Sequence, residues 1–378
     1  MADPLRTATV GVSTRQFCGV RDHATLLAAQ LEREGIAGTQ HWLASTGTLS
    51  ARRAELARWA RALPGELRGE RLDAVLWHYS VFSYSFRGVP LFVHPTLAAL
   101  RRSGVPIIAI MHEIAFPWGK DGLRGGVWAV SQRAVLLEAI RACSAVVVTA
   151  DFRAEWLRTR RWLPRRPIAV APVFSNLPAP PAGPAPANAV PAVGLFGYAL
   201  EAPTVALVLD ALRALRDRGV AVELRLLGSP GRESAAGELW QAGAARRGLT
   251  QALRFSGTLP AQALSDALAA CEVLLFADAT GPASRKGTLA GSLASGRPVV
   301  ALEGRRHWPA LVDAGAAVVV PRSAEALGDA FGALLADEPE REAQGRRGRA
   351  FAEGPMGVAH TAALVRGLLA DLAVPRPS

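Results

Sequence analysis

In the segment from Ala283 to Leu302, ASRKGTLAGSLASGRPVVAL, Arg285 and Lys286 stand where a loop turns into a helix. Ser284, Gly287 and Thr288 surround them, and Lys286 is one of only two lysines in the chain, with Lys120. A helix N-terminus already offers free backbone N–H groups and about half a positive charge. Two more cations there call for an anion, such as a phosphate, to offset the repulsion; two exposed loop cations are the plain alternative. His112 follows the apolar run VPIIAIM at a strand's carboxyl end. An imidazole so placed is either a structural group or one that works on a ligand. Glu113 beside it either orients a hydroxyl or caps the next segment. In CGVRDHAT, Gly19 permits a tight turn, and Asp22 is placed to N-cap a helix from residue 23 or to act as a base.

Positioning these groups requires strands that end near one another. Apolar runs at 7–14, 72–79, 105–113, 144–150 and 167–173 alternate with helical spacing, as at 24–35 and 127–144. Continuous apolar strands separated by helices imply a parallel sheet covered on both faces. A proline-rich stretch, Asn176 to Ala192, cannot form a helix or central strand and is expected to link two domains. The alternation then restarts, with strands at 193–197, 222–228, 253–257, 272–277, 298–302 and 316–321. The expected fold is α/β, two doubly wound domains facing a cleft, with boundaries at 1–178 and 179–355 and a final helix near 356–373 returning to the first. In such sheets ligands sit at the carboxyl ends of the strands.

Charge divides unevenly between the halves. Residues 1–178 carry 23 Lys and Arg against 13 Asp and Glu, whereas 179–378 carry 20 against 19. Basicity confined to the first half points to an anionic partner there, or to a solvated basic face. The stretch 152–167 interleaves six arginines with Trp156 and Trp162, a composition suited to an interfacial helix on anionic lipid. No nucleic-acid-binding signature accompanies it, so no nucleic acid partner is expected. Cys18, Cys143 and Cys271 lie far apart without metal-ligand spacing, which argues against a disulfide framework or a zinc site. No run is long and apolar enough for a membrane span, and MADPLRTATVGVST lacks a signal-segment pattern. A cytoplasmic protein, peripheral at the inner membrane face, is the expectation.

The second half resembles the C-terminal domain of GT-B fold glycosyltransferases, closest to family 4. The residues that carry the resemblance are VGLFG, LRALRDRGVAVELRLLGSPG, LRFSGTLP and LAGSLASGRPVVAL, in that order. CGVRDHATLLAAQLEREG is similar to the Gly-rich first turn and helix of that fold, IMHE to its His-bearing loop, and PVFSNLP to its Pro-Asn motif before the linker. Two departures stand out. The family's glutamate pair, eight positions apart, would fall on Ala283 and Gly291, and the cations common after the opening strand are missing from FGYALEAPTVAL. The chain is similar instead to a bacterial subset with a Ser-Arg-Arg/Lys loop.

The resemblance implies a retaining, metal-independent hexosyltransferase using a UDP- or GDP-linked sugar, with no cofactor, and a glycan, glycolipid or natural product as acceptor. It implies that Ser284, Arg285, Lys286, Gly287 and Thr288, with Gly19, hold the donor diphosphate. Gly197, Gly228, Ser256, Gly257 and Leu259 would address base and ribose. His112, Glu113 and Asp22 would serve the reacting centre, and Arg15, Arg21, His23, His78 and Tyr79 the acceptor. No Asp-x-Asp occurs, so no metal site is expected. Loss of both glutamates keeps a second class open, a non-catalytic ligand-binding or partner subunit on the same fold. An isomerase acting on a nucleotide sugar is a third.

Overall fold

The computed structural model describes residues 5–13, 18–180, 188–306 and 308–373. Arg15 lies outside these residues, as does the middle of the proline-rich stretch. The chain divides into two compact units, one of residues 1–172 and 358–378, the other of residues 173–357.

The first unit is built on six parallel strands: β1 (Arg6–Ser13), β2 (Ala37–Ala44), β3 (Ala74–Ser80), β4 (Ile107–Glu113), β5 (Ala145–Val148) and β6 (Ile168–Val170). Their order is β2-β1-β3-β4-β5-β6. The helices are α1 (Gly19–Arg33), α2 (Leu49–Gly69), α3 (Val93–Ser103), α4 (Gly122–Ala142), α5 (Asp151–Thr159) and, from the chain's end, α13 (Val358–Ala373), which packs on α1. β3 is buried along its whole length. Trp77 and Tyr79 enter one apolar cluster, and His78 between them points to the opposite face, as the period of two requires. The buried Trp77 indole donates to the Tyr84 hydroxyl at 2.8 Å, so its N–H stays paired. β2 escapes the sequence reading because AGTQHWLA is polar and largely exposed along the sheet's edge.

The second unit repeats the plan with β7 (Ala192–Phe196), β8 (Glu223–Leu227), β9 (Leu253–Gly257), β10 (Val273–Phe276), β11 (Val299–Leu302) and β12 (Val318–Val320). Their order is β12-β11-β10-β7-β8-β9. Its helices are α6 (Ala202–Asp217), α7 (Ala235–Ala245), α8 (Ala261–Ala269), α9 (Gly287–Ala294), α10 (Pro309–Asp313), α11 (Ala324–Ala336) and α12 (Glu338–Glu353). Val193, Leu195, Val273 and Leu275 feed one core cluster, whereas Leu274, Phe276, Val299 and Ala301 feed another. Alternate residues thus reach opposite faces of a sheet buried on both sides.

The described ends of the proline-rich stretch are held by this second unit. Val173 N–H donates to the Ser284 carbonyl at 2.7 Å, and Ser265 Oγ donates to the Pro178 carbonyl at 2.8 Å. Asn188 binds the Ala270 carbonyl and the Glu272 carboxylate. The divide therefore falls at Pro172/Val173, and residues 173–178 belong with the sheet that follows them. Among the described residues no helix is long and apolar enough to cross a membrane.

Candidate functional site

In the second sheet the order of strands reverses between β7 and β10. Loops leaving these neighbours diverge, which opens a crevice at their carboxyl ends. A cavity of about 520 Å³ lies there. Gly197, Ala199 and Leu200 line it from the loop after β7, and Asp278 from the loop after β10. Arg285, Lys286, Gly287 and Thr288 line it from the start of α9, and Asn176 and Leu177 complete the wall. α9 begins at Gly287 with Lys286 as its N-cap, whose side chain makes no capping bond to the first amides. Gly197 has φ of +77°, and a Cβ there would stand 3.0 Å from Thr288 Cγ2. Glycine thus meets two demands at once, a left-handed backbone and a close approach to α9.

Asp278 was not legible as a site residue, yet it organises this loop. Its carboxylate binds the Lys286 ammonium and accepts from Thr280 N–H at 2.8 Å and Thr280 Oγ at 2.5 Å. Burial works to raise its pKa, but the bonds from Lys286 and Thr280, with the lysine's charge, outweigh that and hold it below the ordinary value. Arg322 fastens the same loop from beyond β12, donating to the Asp278 carbonyl at 3.2 Å and to Thr204 Oγ at 2.7 Å. An aspartate eight positions before a lysine across a loop carries no periodicity, so only the fold reveals the pair.

The remaining expected donor residues are placed differently. Ser284 is buried, with its carbonyl committed to Val173, and it does not line the cavity. Gly228, Ser256, Gly257 and Leu259 are also outside the lining. Ser256 sits at a register shift between β8 and β9, where its hydroxyl accepts from Gly228 N–H at 3.0 Å and donates to the Gly257 carbonyl at 2.9 Å. This arrangement stiffens the two strand ends. Leu259 packs against the core. Gly19 belongs to the first unit, at the exposed start of α1.

In the first unit three histidines meet. His78 comes from β3, His112 from β4 and His23 from the first turns of α1. His78 Nδ1 and His112 Nε2 share a hydrogen bond at 3.1 Å, and their rings stack with centroids 5.4 Å apart. The His23 ring meets His112 edge-on at 4.8 Å. His112 occupies a register shift, since Tyr79 pairs with Met111 and Ser80 with Glu113. Such an irregularity re-aims a side chain at a strand's end. His23 and His78 are buried, and His112 is half-buried. Loss of water lowers the pKa of all three, that of His112 to about 4 with help from the Arg153 charge, so all are neutral at pH 7. Close by, Gly11 on β1 admits the Trp42 ring, since a Cβ there would stand 2.3 Å from it.

These imidazoles bring one nitrogen each within 4.8 Å of one another, a donor set that suits a divalent transition metal. The Arg153 guanidinium beside them works against a further dication. Arg153, which reads in sequence as one of six surface arginines, is buried. It binds Glu113 at 2.5 Å, Thr149 Oγ at 2.7 Å and the His112 carbonyl. Glu113 is thus an anchor for the strand end. Asp22 is not a helix cap either: α1 starts at Gly19 with Cys18 as its N-cap, so Asp22 falls in the first turn. Its carboxyl is exposed, and partial burial raises its pKa against the pull of Arg21. Arg21 is exposed as well. Tyr79 is wholly buried and stacked on Tyr84 at 5.9 Å, which makes it core and removes it from any acceptor surface. Trp156 packs inward on the first core, under Arg133 and Arg160, so the 152–167 stretch is no free interfacial helix.

Two six-stranded parallel sheets with helices on both faces give the chain a GT-B-like α/β fold. Residues 190–337, within the second unit, match the family model described as glycosyl transferases group 1. The resemblance read from the motifs of the second half is therefore borne out there, over residues 190–337. Among solved structures, a glycosyltransferase from Rickettsia africae superposes with a TM-score of 0.70 at 11% identity, covering 98% of this chain and 99% of that one. The Anabaena protein Alr3699/HepE, solved with UDP and glucose, gives 0.64 at 14% identity, over 97% and 100% of the two chains. A Listeria monocytogenes protein described as a UDP-N-acetylglucosamine 2-epimerase gives 0.59 at 13%, covering 99% of each. At these identities the likeness is one of fold. No curated protein matches the chain.

Proposed function

We propose that the chain transfers a hexosyl unit from a nucleoside diphosphate, UDP or GDP, to an acceptor hydroxyl, with retention and without a divalent metal. The observation that carries this reading is the cavity at the strand-order reversal, where the start of α9, Arg285 and Lys286 converge. A diphosphate seated there would exchange with Asp278 for the Lys286 ammonium and meet the first amides of α9. Cations so placed stabilise the charge that develops as the bond from C1 to the phosphate oxygen breaks. The acceptor oxygen then bonds C1 and its proton passes to the departing phosphate, which needs no protein base. The commitment of Glu113 to Arg153 is consistent with that route. In this reading the first unit takes the acceptor, a glycan, glycolipid or natural product, and His112 serves the transfer.

One observation favours a binder over an enzyme. Where the family places its second glutamate, Gly291 is buried, and a Cβ there would stand 3.1 Å from the Phe196 ring. A side chain there would require the Phe196 and Leu177 side chains to give way. The purified protein incubated with a panel of UDP- and GDP-sugars distinguishes the readings. Release of the nucleoside diphosphate with one donor, abolished by Arg285→Ala, is the expected result. Donor binding without any release would assign the ligand-binding role instead.

A further inference from the structure

α4 is apolar on two sides. Gly125, Ala129, Gln132 and Leu136 face inward and are buried. Leu123, Val127 and Val130 follow at spacings of four and three, hence on one face, and are 94%, 58% and 58% exposed. Trp118, just before the helix, is 59% exposed, with the Arg133 guanidinium 4.6 Å from its ring centroid. Four large apolar side chains within thirteen residues of one face and its approach are uncovered, which a helix packed only on its own core does not need. Cations border them. Lys120 and Arg124 are exposed, and Asp121 is the sole carboxylate between residues 118 and 134.

We propose that α4, with Trp118, is a membrane-docking face that lies in the headgroup region of an anionic lipid bilayer. Leu123, Val127 and Val130 would enter the acyl boundary, Trp118 would sit at headgroup level, and Lys120 and Arg124 would meet lipid phosphates. The charge of the first half, 23 cations against 13 anions, adds a long-range attraction of the same sign. This proposal does not depend on the transferase reading.

The test uses the full chain and vesicles of phosphatidylcholine with or without phosphatidylglycerol. Co-sedimentation with the anionic vesicles alone, weakening as salt rises, is expected. The triple variant Leu123→Asn/Val127→Asn/Val130→Asn should lose about tenfold or more in partitioning, about 1.4 kcal/mol. Its melting temperature should match the parent, because the replaced side chains are exposed; if it does not, Val127→Asn alone serves and should lose severalfold. Lys120→Gln/Arg124→Gln should flatten the salt dependence. No sedimentation at low salt, or a triple variant that binds as the parent does, overturns the proposal. Self-association that the triple variant abolishes, without vesicle binding, overturns it in favour of a second copy of the chain.

Discussion

The Lys286 ammonium is bonded to the Asp278 carboxylate, at the opposite end of the loop that joins β10 to α9. The Lys286 charge at the candidate phosphate site is therefore neutralised within the protein. Arg285→Ala and Lys286→Ala should each weaken nucleoside diphosphate binding about ten- to a hundredfold, with little effect on the bare nucleoside. Asp278→Asn should do the reverse, tightening diphosphate binding while lowering the melting temperature, because the amide loses the ion pair with Lys286. Titration calorimetry with nucleoside and nucleoside diphosphate separates these outcomes; equal losses for both ligands would mean that the cations do not read phosphate.

For His112 the expectation concerns a split between rate and stability. His112→Ala should cut turnover by about a hundredfold or more. His23→Ala, which removes a buried ring from the same cluster, should act mainly on the melting temperature. Parallel kinetics and thermal melts decide it. A His112→Ala protein with parental turnover would remove this residue from the reacting centre.

Acid should destabilise the first unit well before carboxylates titrate. His23, His78 and His112 are held neutral in the fold, while the unfolded chain takes up their protons near pH 6.5. Between that value and the folded value of about 4 for His112, the unfolded state binds more protons, so stability falls as pH falls. Each such histidine contributes a slope of up to about 1.4 kcal/mol per pH unit in that window. Asp278, held below its ordinary value, gives the second unit a loss of the same sign under still stronger acid. Melts from pH 7 to 4 should show the decline, and His78→Asn should make it shallower.

Gly197→Ala tests whether the start of α9 and the loop after β7 need their close approach. The left-handed backbone alone costs an alanine about 1–2 kcal/mol, and the new methyl would press on Thr288. Lower stability together with weaker diphosphate binding is expected. A variant with unchanged affinity would show that the cavity wall at Gly197 is not in contact with the ligand.

Much of this arrangement could be read from the chain itself, for identifiable reasons. The beginning of α9 at Gly287 and the strands on both sides of it follow from small polar residues giving way to apolar runs. The edge strand β2 stayed hidden because Gly38, Thr39 and Gln40 are exposed in succession and leave no buried alternation. Asp22 misled because the helix begins four residues earlier than its sequence pattern suggests, at Gly19. His78 and His112 were both legible as candidates, but their hydrogen bond depends on the register shift at the end of β4. Arg153 and Asp278 were invisible as partners, since their roles arise from contacts across 40 and 8 residues of chain, without periodicity.

The bond from Val173 N–H to the Ser284 carbonyl has a mechanical meaning. Ser284 immediately precedes Arg285, and Asn176 and Leu177, just downstream of Val173, form part of the cavity wall. The segment by which the chain enters the second unit and the loop that carries the cations are therefore a single tethered piece. Whatever stiffens one must stiffen the other, and hydrogen exchange at the Val173 amide becomes a gauge of how firmly the cavity is filled.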